Sequence, residues 1–322
     1  MLVGAGLMTV LVLSVIVGSK DIAPAGVWDA LFAFTGSTDQ LIVRDLRIPR
    51  TLLGLAVGIA LGLAGALIQA LTRNPLADPG ILGVNAGAAF AVVAGVSVFG
   101  ITSIQDYIWW AFGGALVATV VVYTIGSRGR GDDLPVRLTL VGMAVGAVLA
   151  GITSGVTLLN PLVFDRMRSW GAGSLANRGF DVLGAVLPFI VLGVVIALLV
   201  ARPLNAVALG DDLARSLGTR ITPTRLWVVV AVTLLCGAAT AAAGPIGFVG
   251  LMVPHVARWI VGPDQRWIMV YTLGLAPILL LLSDVIGRVL LRPGELQVGI
   301  VTAFVGAPVL IWLVRRRKAS GL

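Results

Sequence analysis

The residues able to do chemistry in this chain are few. One histidine and one cysteine occur in 322 residues. His255 follows Pro254 at a helix end with no second histidine or nearby cysteine, so it lacks the company a metal site needs. Cys236 lies in an apolar run and can form no intrachain disulfide. No nucleophile stands beside a base, and neither Lys20 nor Lys318 follows a glycine, which excludes a G-x-x-x-x-G-K-[ST] nucleotide loop. The chemistry left is that of charge. Asp284 has Arg288 one helical turn later on the same face, a spacing that predicts an ion pair near a membrane boundary. Arg47, Arg50 and Arg288 stand at the ends of apolar runs. They suit headgroup anchoring, or a docking surface where several weak exposed pairs with an acidic partner set orientation and rate. The stretch RPLNAVALGDDLARSLGTRITPT (202–224) sets Val207, Leu209, Leu213 and Leu217 among Asp211, Asp212 and Arg215. Gly210 and Gly218 bracket a short amphipathic helix of the kind that inserts into a partner's groove.

Membrane helices must position these residues. Hydrophobic residues make up 58% of the chain and charged ones only 12%, against roughly 25% charged in soluble domains. The net charge of +8 does not point to nucleic acid. The basic residues lie in short segments between apolar runs, where the positive-inside rule puts them. The organising stretch is 46–88. Arg47 and Arg50 flank Pro49, then an uncharged run from Thr51 to Leu71 is long enough to cross a ~30 Å hydrocarbon layer. Gly54, Gly58 and Gly62, with Gly65 close behind, predict a face where a neighbouring backbone approaches closely. Asn74, Pro75, Asp78 and Pro79 then make a tight elbow.

Ten spans are expected, near 2–18, 50–71, 82–101, 107–126, 138–159, 181–201, 225–243, 245–261, 267–286 and 298–314. The fold class is all-α integral membrane, one transmembrane domain over 1–322. Residues 1–18 read as a first span rather than a removed signal peptide. With both termini cytoplasmic, 14 of the 23 basic residues fall inside, including Arg128, Arg130, Arg137 and the RRRK tail ending at Lys318. An inverted internal repeat is visible. The run from Arg50 ends at Asn74-Pro75 and the run from Arg225 ends at Gly244-Pro245, each followed by a glycine-rich second run; the first crosses outside to inside and the other inside to outside, a transporter pattern. No carboxylate or histidine sits at mid-membrane, which disfavours an ion-coupled secondary carrier, the rival class. The Gly/Pro-broken paired spans disfavour a structural scaffold.

Five segments, LRIPRTLLGLAVG, NPLADPGILGVNAGA, LGDDLARSLG, GPIGFVGLMVPHVAR and VTAFVGAPVLIWLV, together resemble the permeases of vitamin B12 and ferric-siderophore ABC importers. The resemblance spans Arg47 to Val314. It implies ten spans per subunit with an inverted repeat, a second permease subunit (homo- or heterodimer), two cytoplasmic ATPase subunits and an extracytoplasmic substrate-binding protein. It implies a bacterial inner-membrane location and no cofactor in this chain, ATP and Mg²⁺ belonging to the ATPase. Ferric siderophore is the expected cargo, with cobalamin or haem the alternative. By the same resemblance Arg47, Arg50 and Arg288 would face carboxylates on the binding protein. Leu209, Gly210, Asp211, Asp212, Leu213, Ala214, Arg215, Ser216, Leu217 and Gly218 would dock onto the ATPase. Gly83, Val84 and Asn85, with Leu134, Pro135 and Val136, would form a cytoplasmic gate, and Asn160 to Ala176 would close the outer mouth.

Overall fold

In hydrocarbon every backbone amide must be satisfied within the chain, and a long apolar run does this as a helix. The computed structural model describes residues 1–128 and 134–317, and every regular element among them is helical. Arg130 and Lys318, counted above toward orientation, lie outside the described residues. Six helices are long and apolar enough to cross a bilayer, and four shorter apolar helices join them. The long ones are α4 (Ile48–Thr72, with its lead-in), α6 (Ile104–Gly126), α7 (Leu134–Leu159), α9 (Phe180–Ala208), α11 (Ile221–Ala243) and α13 (Gln265–Leu290). The short ones are α1 (Leu2–Ile16), α5 (Val84–Phe99), α12 (Val249–Val261) and α14 (Val298–Arg317). The chain is a multi-pass membrane protein.

The centre belongs to α4 and α11, which pack on one another. Their most apolar windows are 83% and 78% buried, against 11% for α7. These are the first helices of the two halves of the expected repeat. They run in opposite senses, since the C-terminal end of α4 and the first turn of α11 meet at a shared carboxylate. The glycine face works as expected. A methyl at Gly58 would lie 2.7 Å from the Pro277 Cα of α13, and one at Gly65 would run into the Gly250 carbonyl of α12. Gln69, buried in α4, donates to the carbonyl of Leu251 at 3.0 Å across the same seam.

Two features add to or change the expected spans. The segment between the first two spans is itself helical. It folds into α2 (Pro24–Phe32), α3 (Thr38–Leu41) and a π-helical turn, Ile42–Arg47, that runs directly into α4. A Ser37–Gln40 capping box starts α3, and packing of Ile22, Val27, Ala30 and Val43 holds the layer. The eighth span begins only at Val249, because Gly244 to Phe248 are non-helical. After α9, α10 (Asp211–Ser216) is the short connecting helix. The helix expected between the fifth and sixth spans is present as α8 (Pro161–Trp170), with Asn160 capping its N-terminus.

Candidate functional site

The functional side chains gather at the two ends of α4. At its first turn, Arg50 donates to both oxygens of Asp284, 2.7 Å from Oδ1, and its third nitrogen meets Glu295 at 2.7 Å. Arg288 reaches Asp284 from one turn along α13, Nε at 3.0 Å, so the pair expected from the spacing is formed. Arg288 also donates to the carbonyls of Ser14 at 2.7 Å and Val17 at 3.1 Å. A Ser14–Thr51 hydroxyl pair at 2.7 Å completes the tie between α1 and the bundle.

This cluster is interior. Asp284 is fully buried and the Arg50 side chain is 11% exposed. Arg288 is buried to the same degree as the core leucines. Arg47 is buried too, its guanidinium donating to the carbonyls of Val15, Ile16 and Lys20. The three arginines singled out as a docking face therefore do not project from it. They form the floor of a hollow of about 430 Å³ that also takes in Lys20, Asn177 and Glu295. Sequence could not foresee this. Nothing local marks Arg50 as the partner of a carboxylate 234 positions away.

At the other end of α4 the arrangement is different. Arg73 takes a left-handed conformation with φ 52°, uncommon for a residue with a side chain. It reaches the carbonyl of Val207 at 3.2 Å and the carboxylate of Asp211. Arg225 of α11 meets the same carboxylate at 2.8 Å, and Arg215 stands 3.8 Å from its other oxygen. Asp211 is thus a buried knot tying α10 to α4 and α11. Gly210 and Gly218 are the expected joints, with φ of 115° and 76°.

The ten residues at 209–218 do not all face outward. Asp211 and Ala214 are buried against the chain, and Val207 belongs to the core. Leu209, Leu213 and Leu217 are 56–65% exposed. Asp212, 92% exposed, lies between them and pairs with the exposed Arg215. An apolar triad with a charged rim remains on the free side.

The gate residues sit near this pole. Gly83 (φ 75°) closes a 3-10 turn, Pro79–Leu82, which Asp78 caps by accepting from the Gly80 amide at 2.8 Å. Burial pushes the Asp78 carboxyl above its ordinary range, an effect the Gly80 bond opposes. Gly83 and Val84 are buried, and Asn85 accepts from the Thr240 hydroxyl at 2.8 Å. Leu134 is buried, Pro135 half-buried and Val136 exposed. The turn packs against α7 at Gly142, about two helical turns beyond Pro135. The two groups therefore lie on elements that pack against one another.

No group of three or more metal-ligating side chains occurs among the described residues. His255 is buried and stacks edge-on against Trp259 at 4.9 Å.

Comparison with known proteins gives a consistent picture. The model of the FecCD transport family matches residues 6–316. The ferric enterobactin transport system permease protein FepD of Escherichia coli is 54% identical, over 96% of this chain and 92% of that protein. The Fe(3+)-citrate import system permease protein YfmD of Bacillus subtilis is 39% identical, over 95% of this chain and 91% of its own length. A metal-chelate type ABC transporter solved in an inward-facing conformation superposes with a TM-score of 0.85 at 26% identity, covering 98% of this chain and 97% of its own.

Proposed function

The chain belongs to the FecCD transport family, and from that premise we propose that it is the membrane-spanning permease subunit of an ATP-driven importer carrying ferric siderophores to the cytoplasm. The likeness to the enterobactin permease supports the cargo class over cobalamin or haem. Bulky polar chelates cannot enter hydrocarbon, since each unsatisfied polar group costs about 2–7 kcal/mol, so they need a protein-lined path. In this reading the path runs between two permease subunits. The poorly covered α7, with Leu140, Met143, Val148 and Ile152 exposed, supports a second subunit beside it. The chain is a subunit of the bacterial inner membrane with both termini cytoplasmic. ATP and Mg²⁺ are held by two separate ATPase subunits.

The observation that carries the coupling mechanism is the Asp211 knot. Leu209, Leu213 and Leu217 would seat in grooves on the ATPase, while Asp211 hands the movement of α10 to Arg73 and Arg225. Displacement of α4 and α11 would then shift the turn at Gly83 to Asn85 against the start of α7, at Leu134, Pro135 and Val136, opening one side as the other closes. At the opposite pole a binding protein would dock over the hollow floored by Arg47, Arg50 and Arg288. Among the described residues the Arg47 guanidinium donates to carbonyls and to no carboxylate, which favours an acidic side chain from outside.

Reconstitution tests the reading. The permease in lipid vesicles with its ATPase and binding protein is expected to accumulate ferric siderophore uphill only when ATP is supplied. Uphill uptake by the permease alone would refute it.

A further inference from the structure

Beside Arg50 lies a second hollow, of about 370 Å³, whose walls come from separate parts of the chain. Three residues on its walls carry buried donors with no acceptor among the described residues: the Tyr107 hydroxyl of α6, the Trp170 indole N–H at the end of α8, and the Arg178 Nε–H. Tyr107 is 8% exposed and Trp170 5%. A buried donor left unmatched is costly, and three of them on residues lining one space point to an acceptor there. The charge balance points the same way. Glu295 is the carboxylate on the wall, and Arg50 already engages it at 2.7 Å. Arg178 and the exposed Arg166 add positive charge. Burial depresses the Arg178 guanidinium below its ordinary range, with Asp181 offsetting this in part. An anion in the hollow would relieve that.

We propose that this hollow binds the anionic oxygen face of the iron chelate during its passage, with Tyr107, Trp170 and Arg178 as donors. The volume is at the low end for ligand pockets, about 300–1,000 Å³, so it takes one arm of a large chelate rather than the whole. Trp170 ends α8, so an occupant would bear on that helix. The proposal rests on the importer reading above.

The test uses the complete transporter, with ATPase and binding protein, in lipid vesicles. A ferric tris-catecholate is the probe. Arg178→Gln is expected to cut its ATP-dependent uptake about tenfold, the effect of losing one charge-assisted bond. Tyr107→Phe, which removes one oxygen and keeps the ring, should cut it about threefold. Binding-protein affinity and basal ATP hydrolysis should stay at wild-type values. Wild-type uptake in both variants overturns the site. Weakened docking with normal uptake per docked complex also overturns it, by giving the hollow to the partner's carboxylates. Competition by inorganic phosphate would assign it to a free oxyanion instead of cargo. A wild-type transporter that takes up no iron would sink the importer reading, and this site with it, before any variant is compared.

Discussion

Asp284 and Asp211 are buried carboxylates at opposite ends of α4, and each holds at least two arginines. They differ in what they join. Asp284 binds long elements to one another: α4 through Arg50, its own helix through Arg288, and α1 through the carbonyls Arg288 also reaches. Asp211 belongs to a six-residue helix with three exposed leucines around it, and binds that helix to the ends of α4 and α11. Solvation differs as well. The Arg50 and Arg288 side chains are 11% and 2% exposed, whereas at Asp211 a buried Arg225, 9% exposed, is joined by Arg73 at 33%. A charge pair between fixed spans resists movement. The same pair between a surface helix and two spans passes movement on.

Removing each carboxylate in turn should separate these roles. Asp284→Ala leaves the Arg288 guanidinium buried without its counter-charge and Arg50 with Glu295 alone, a loss of about 3–5 kcal/mol. The expected result is a permease that is poorly retained in membranes, or that melts far below wild type in detergent. If it is as heat-stable as wild type, the clamp assignment fails. Asp211→Asn keeps the shape and removes the charge beside the buried Arg225 and beside Arg73, which partly reaches water. That protein should accumulate normally and still bind ATPase. Its iron uptake per ATP hydrolysed should fall about fivefold or more, the usual lower range of an allosteric coupling. Normal stoichiometry would break the contrast between the poles.

Leu213→Asp acts on the outer side of the same helix. It should weaken ATPase retention in a pull-down about tenfold, the cost of moving a charge into an apolar contact, and leave the permease's melting temperature unchanged. The smallest effect is expected from Arg50→Lys, which keeps the charge and loses the bidentate geometry toward Asp284. A loss of about 1 kcal/mol in thermal stability, with docking of the binding protein reduced in parallel, would sharpen the view that one residue serves both the clamp and the hollow. Charge reversal at Arg50 would be a poor docking test, because it sets a third carboxylate beside Asp284 and Glu295.

Much of this architecture could be read from the chain. Apolar runs fix the spans because the bilayer admits so few backbone solutions. The four-residue glycine repeat foretold the close seam of α4 with α13, and the i, i+4 spacing foretold Asp284–Arg288. What could not be read depended on contacts between distant segments. Asp211 and Asp212 are neighbours of one type, yet one is buried and the other 92% exposed. The choice is made by the turn at Gly210 and by Arg73, 138 positions earlier. Arg47 and Arg288 look like surface cations until the carbonyls of the first helix's end are brought to them. Tyr107, Trp170 and Arg178 share no motif and come together only in the folded chain.

The knot at Asp211 also sets a load limit. The hydrogen-bonded part of such a pair is short-ranged and is lost by about 3.6 Å, so in the coupling reading it would behave as a fuse rather than a spring. Short strokes would drag the core helices along. A harder pull would break those bonds, and the surface helix would swing free while the bundle kept its shape. An ATPase that overreaches would then burn nucleotide in idle cycles without tearing the channel open, and the membrane would keep its seal against ions.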